Sequence, residues 1–185
     1  EKAKAEDYEG AIKDYTESLK LKPDAKSYYQ RAIAKENIDD LSGAKSDLIR
    51  SLEINPNNWQ SHYALGRILS ISGDNFGSIS ALMKYFDLVD YSGDFYDIWA
   101  GYFISKSFFL EDILDKSFNY INYIFERQDF VSVIDVGQQY FLYRLRGRIN
   151  LDRGNIELAK KDFEKVIELY PEHAFGLELL GDSYA

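Results

Sequence analysis

Two stretches of this chain superimpose at a shift of 33 residues. Asp7, Gly10, Ala11, Asp14, Ser18, Leu19 and Pro23 recur as Asp40, Gly43, Ala44, Asp47, Ser51, Leu52 and Pro56. Ala159, Asp162 and Pro171 repeat the spacing of Ala11, Asp14 and Pro23, with 12 residues from alanine to proline in every copy. Self-similarity at this period restricts the chain to architectures that stack one supersecondary unit on copies of itself. A second set of positions precedes the first: Ala32, Gly66, Gly147 and Gly181 each follow a long residue, namely Arg31, Leu65, Arg146 and Leu180. Their separations are 34, 81 and 34 residues, and 81 exceeds two periods by 13. The middle therefore holds one further unit, stretched.

Each unit reads as two helices. Apolar residues at steps of three and four run through Lys26–Ile38, Leu41–Ile54, His62–Ile71 and Ile156–Leu169. Gly73 and Gly154 suit a left-handed turn that closes the first helix. Pro23, Pro56 and Pro171 stop the second, because proline has no backbone donor to continue it. Gly66 or Gly147 in one helix, set against a small residue such as Ala44 or Ala159 in the other, is expected to let the two backbones approach closely.

The unit of 34 residues with Tyr-x-x-Arg-Gly, then Gly-Asn-x-x-x-Ala, then Phe and Pro resembles the tetratricopeptide repeat. Tyr143, Arg146, Gly147, Gly154, Asn155, Ala159, Phe163 and Pro171 carry the fullest match. Residues 25–57 match through Tyr28, Arg31, Ala32, Ala44 and Pro56. Residues 59–92 match through Leu65, Gly66, Gly73 and Asp74, with Ser78 where alanine is usual and Asp90 where proline is. The resemblance implies an all-α fold, a right-handed α-solenoid of antiparallel helix pairs. One repeat domain is expected over 1–185: a partial repeat 1–24, repeats 25–57 and 59–92, a degenerate extended repeat 93–139, a repeat 140–173 and a partial repeat 174–185. The first fragment supplies a second helix at about 8–22 and the last a first helix from about 174. Both ends read as cuts through helices, so the chain is expected to be a piece of a longer polypeptide.

The stretched middle, residues 91–143, holds 16 of the chain's 29 aromatic residues. A helix pair is expected near 94–109 and 111–126, then extra helix from about 129 running into the Tyr143 helix. The rings either fill a wider gap between helices or form an exposed patch for a partner or a second copy.

In the family resembled, the first helices line a concave surface that binds peptides or extended segments. That implies a peptide-binding face with Tyr29, Ile33 and Asn37, then Tyr63, Arg67 and Ser70, then Arg144 and Arg148, and finally Phe175, Glu178 and Asp182. The three arginines stand out in a chain with 22 Lys+Arg against 31 Asp+Glu, a net charge of −9. Arg144 and Arg148 are four apart and share a helical face. They could hold an acidic or carboxylate-ended peptide by forked hydrogen bonds, or else pair with neighbouring carboxylates. The Lys/Asn/Arg carboxylate clamp by which some family members grip chaperone tails is not found.

The acidic balance disfavours nucleic acid, which needs a basic footprint. No apolar run reaches the roughly 18–20 residues of a membrane span. With no cysteine, two histidines far apart (His62 and His173), and no phosphate-cradling or nucleophile motif, neither a cofactor nor catalysis is expected. The reading that follows is a non-catalytic scaffold for protein–protein interaction that binds a peptide. The alternatives are a self-associating structural module, hence a homo-oligomer, and a regulatory domain of a larger enzyme. The compartment is open between the cytoplasm, as default, and export.

Overall fold

The computed structural model describes residues 7–89, 95–126, 134–171 and 181. Among them are nine helices and no strand. The chain divides into two compact units, residues 1–90 and 91–185. The first contains α1 (Tyr8–Leu21), α2 (Ala25–Asn37), α3 (Leu41–Ile54), α4 (Trp59–Ile71) and α5 (Asn75–Leu88). The second contains α6 (Phe95–Leu110), α7 (Leu114–Phe125), α8 (Val136–Asp152) and α9 (Ile156–Leu169). The helix expected from about 174, with Phe175, Glu178 and Asp182, lies outside the described residues. So does the stretch from 129 to 133.

Local chemistry sets the helix boundaries. The carboxylates of Asp7, Asp24, Asp40 and Asp74 accept hydrogen bonds from the backbone N–H three residues on, at 2.7–3.0 Å, which satisfies donors the first turn leaves open. Asp135 and Gln138 form a reciprocal capping box at the start of α8. Helices α1, α3 and α9 each stop two residues before Pro23, Pro56 and Pro171. Within each hairpin one turn residue adopts positive φ: Asp39 (63°), Gly73 (81°), Asp112 (57°) and Gly154 (77°). Each sits seven residues after Ala32, Gly66, Ser105 or Gly147. The same turn thus recurs four times, with glycine where it costs least and aspartate where its short side chain tolerates it.

Short turns make α2/α3, α4/α5, α6/α7 and α8/α9 antiparallel pairs. Helix α1 packs on α2, α3 on α4, and α7 on α8; the first helices α2 and α4 touch, as do α6 and α8. This is α-solenoid stacking, in which each pair buries its apolar faces on its neighbours. Ala32, Ala44, Leu48, Ala64 and Ile68 form the core of the first unit. Ile98, Ile121, Ile124, Leu142, Leu145 and Ile149 dominate the second.

The glycines also make room for large residues. At Gly66 a Cβ would lie 2.5 Å from Leu82 Cγ. At Gly147 a Cβ would lie 2.8 Å from the Phe163 ring Cδ1 and 3.1 Å from Asp162 Cβ. Leu82 and Phe163 occupy the same repeat position. The missing side chain is therefore a hole filled by a large residue of the second helix. In the stretched repeat both small positions are serines. Ser105 Oγ donates to the Ser117 carbonyl and Ser117 Oγ to the Ser105 carbonyl, each at 2.8 Å, and both residues are fully buried.

A buried ion pair recurs in two hairpins. Arg31 forks onto Asp47 at 2.8 and 2.6 Å, and Arg146 onto Asp162 at 3.0 and 2.5 Å. The third partner differs. Asp47 also receives Lys35 Nζ at 2.8 Å, whereas at the equivalent position Asn150 donates to Asp162 at 3.3 Å. Burial raises the pKa of both carboxyls. At Asp47 the hydrogen bonds and charges of Arg31 and Lys35 outweigh it, and the net shift is downward. At Asp162, Arg146 and Asn150 do not offset burial, and the net shift is upward.

Candidate functional site

The paired serines set the register of the stretched repeat, because their 12-residue spacing is that of Ala32/Ala44, Gly66/Ser78 and Gly147/Ala159. In that register Tyr29, Tyr63, Tyr102 and Arg144 are equivalent, as are Ile33, Arg67, Lys106 and Arg148. The two sets are four residues apart and form one stripe along each first helix.

In the first unit this stripe is largely spoken for. Tyr29 and Ile33 are half-buried against the Ala32/Leu48 core. Tyr63 is buried, its ring centroid 5.8 Å from that of Tyr85. Ser70 is 3% exposed. Asn37 is exposed, but its amide donates to the Ile33 carbonyl at 2.8 Å. Arg67 donates to Glu36 Oε2 at 2.5 Å, and its guanidinium carbon lies 6.0 Å from the Tyr63 ring centroid. Burial raises the Glu36 carboxyl against the pull of Arg67. The charge of Arg67 is thus met from within the unit.

The second unit differs. A cleft of about 520 Å³ opens between α6 and α8. Tyr102, Lys106, Phe109 and Leu110 line it from α6, at steps of three and four. Phe141, Arg144, Leu145 and Arg148 line it from α8, again on one helical face. Three cations therefore meet over an apolar floor, and among the described residues no carboxylate lines the cleft. The position equivalent to Glu36 is Phe109, so the neighbouring first helix offers Arg148 a ring where Arg67 finds a carboxylate. Arg148 lies 3.4 Å from Asp152 on its own helix, a contact half open to water. Burial, then the like charge of Arg144, holds the Lys106 ammonium below its ordinary pKa. Burial raises the Tyr102 phenol, which Arg144 partly opposes.

Sequence reasoning placed Arg144 and Arg148 on this face but missed Lys106 and Tyr102. The signal that finds them is the Ser105/Ser117 spacing, hidden because serine replaces both small residues.

Among the described residues, many rings of the stretched middle pack on one another. Trp99, Tyr102 and Phe103 form one ring cluster, Phe108 stacks on Tyr120, and Phe125 meets Tyr143 edge-on. Arg146, the packing arginine, lies 3.4 Å over the Phe125 ring. Tyr96 and Tyr123 remain exposed. His62 donates through Nε2 to the Pro56 carbonyl at 2.9 Å, a packing contact; His173 lies outside the described residues. Among the described residues no cluster of His, Cys, Asp and Glu could hold a metal ion. No helix there is long and apolar enough to cross a membrane.

Residues 25–58 and 142–173 match one tetratricopeptide repeat signature, and residues 48–79 match a second. The chain carries tetratricopeptide repeats over these segments. The matched segments contain both buried Arg–Asp pairs and both glycine holes, so sequence signature and packing coincide. The Escherichia coli (strain K12) bacteriophage adsorption protein A is 39% identical over 64 residues, which is 35% of this chain and 6% of that protein. The chain therefore corresponds to a small part of that relative. Among solved structures, YrrB, described as a tetratricopeptide repeat protein with an unusual peptide-binding site, aligns with a TM-score of 0.73 at 16% identity, covering 94% of this chain and 83% of that one. MamA from Desulfovibrio magneticus RS-1 aligns at 0.71 and 20% identity, covering 91% and 88%. PilF of Pseudomonas aeruginosa aligns at 0.65 and 13%, covering 95% and 68%. At these identities the likeness is one of fold. The repeat family matched by residues 25–58 and 142–173 forms scaffolds for protein–protein interaction.

Proposed function

We propose that this tetratricopeptide repeat chain is a non-catalytic scaffold that holds an acidic protein segment, with the α6–α8 cleft as its principal contact. The observation that carries the reading is the convergence of Lys106, Arg144 and Arg148 on an apolar floor, with no described carboxylate lining it, in a chain whose net charge is −9. Arginine forks match carboxylate geometry, and partial enclosure between two helices strengthens such contacts relative to open surface. The volume lies within the range of about 300–1,000 Å³ typical of ligand pockets. The peptide-binding site named for YrrB makes a peptide the natural first ligand to test.

Fluorescence anisotropy with labelled acidic peptides tests the reading. Each charge-assisted hydrogen bond contributes about 1.5–3 kcal/mol, so Arg144→Ala combined with Arg148→Ala is expected to weaken binding by tenfold or more. Arg67→Ala, which removes a cation already met by Glu36, is expected to change it little. Equal affinity for wild type and the double variant refutes the proposal.

A further inference from the structure

Lys106 has a feature that the acidic-segment reading alone does not explain. It is half-buried, and among the described residues it has no ion-pair partner. The charged group acting on it is Arg144, a like charge. Burying part of an ammonium that has no carboxylate against it is unfavourable unless a ligand supplies the anion. Its surroundings on the cleft floor are apolar and open: Leu110 is 54% exposed and Phe141 43%, with Phe109 and Leu145 beside them. Large apolar side chains left in water next to an uncompensated cation favour a ligand that carries both complements together.

We infer that the cleft is a two-part site for a peptide in which an acidic side chain adjoins an aromatic one. The carboxylate docks on Lys106 between Arg144 and Arg148, and the ring covers Leu110 and Phe141. This inference rests on the acidic-segment reading and adds two things to it. Lys106 is a binding residue equal in weight to the arginines, and acidity alone does not define the partner.

The test uses the full chain and three labelled peptides of equal length. The first carries glutamates flanking a phenylalanine, the second has serine in place of the phenylalanine, and the third has glutamines in place of the glutamates. The first is expected to bind about tenfold tighter than the second, and the third not measurably. Lys106→Gln is expected to weaken the first peptide about tenfold, with Lys106→Arg restoring it. The unfolding midpoints of both variants serve as the control for folding. Equal affinity for the first and second peptides overturns this inference and leaves the acidic-segment reading standing. Unchanged binding by Lys106→Gln also overturns it. Failure of both acidic peptides to bind overturns the two together.

Discussion

Lys35→Asn converts the buried ion pair of one hairpin into the arrangement of another. Arg31 remains on Asp47, and asparagine takes the place it already holds opposite Asp162. The variant loses a charged contact of 2.8 Å to a carboxylate whose side chain is 5% exposed. A hydrogen bond to a charged group contributes about 1.5–3 kcal/mol. Lys35 is itself 18% exposed and the Arg31 fork survives, so the expected loss is about 1.5 kcal/mol at pH 7. The pH dependence gives a second, sharper signature. In the wild type the folded-state pKa of Asp47 is lowered from 3.8, so its stabilisation is complete above that value and lost only as pH falls through the lower folded value. In the variant the pull of Lys35 on Asp47 is gone and Arg31 alone opposes burial, so the folded-state pKa of Asp47 lies higher than in the wild type. The wild-type carboxylate is the harder of the two to protonate, so the gap between wild type and variant should be full at neutral pH and narrow as pH falls through the range in which Asp47 titrates. Urea unfolding at both ends of that range measures the gap, and carboxyl carbon NMR follows Asp47 directly. A gap independent of pH, or an Asp47 titration that does not move upward, refutes the account of the pair.

Two further predictions concern packing. Gly147→Ala gains about 1 kcal/mol of helix propensity but forces a Cβ against the buried Phe163 ring and against Asp162, which Arg146 holds in place. Overpacking costs about 1–3 kcal/mol, so urea unfolding should show a net loss of about 1 kcal/mol or more; a more stable variant contradicts the close-approach argument. Ser78→Ala replaces a buried hydroxyl that has no partner with the residue found at positions 44 and 159. It should gain about 1 kcal/mol, and a loss of that size means the hydroxyl is satisfied in solution.

Much of the fold is legible in the sequence because steric constraints repeat. Pro23, Pro56 and Pro171 mark helix ends, and Gly73 and Gly154 mark turns; all five do what backbone chemistry requires of them. The stretched repeat is harder to read because Ser105 fills a position that elsewhere holds alanine or glycine, while Ser117 and Asp112 match only Ser78 and Asp39 rather than the alanines and glycines that mark the other repeats. Each works by a hydrogen bond or a tolerated left-handed conformation rather than by being small. The site is less legible still. Arg67 and Lys106 occupy the same repeat position with the same sign of charge. What separates them is that Arg67 meets Glu36 whereas Lys106 has no ion-pair partner among the described residues, and that is a three-dimensional fact.

The central claim is that a partner docks between α6 and α8. Backbone amide NMR shifts recorded during titration with the glutamate–phenylalanine peptide test it directly. The account predicts that the largest changes fall on residues 102–110 and 141–148 and saturate with the affinity measured by anisotropy. Changes concentrated on α7 and α9, or on the first unit, would contradict it.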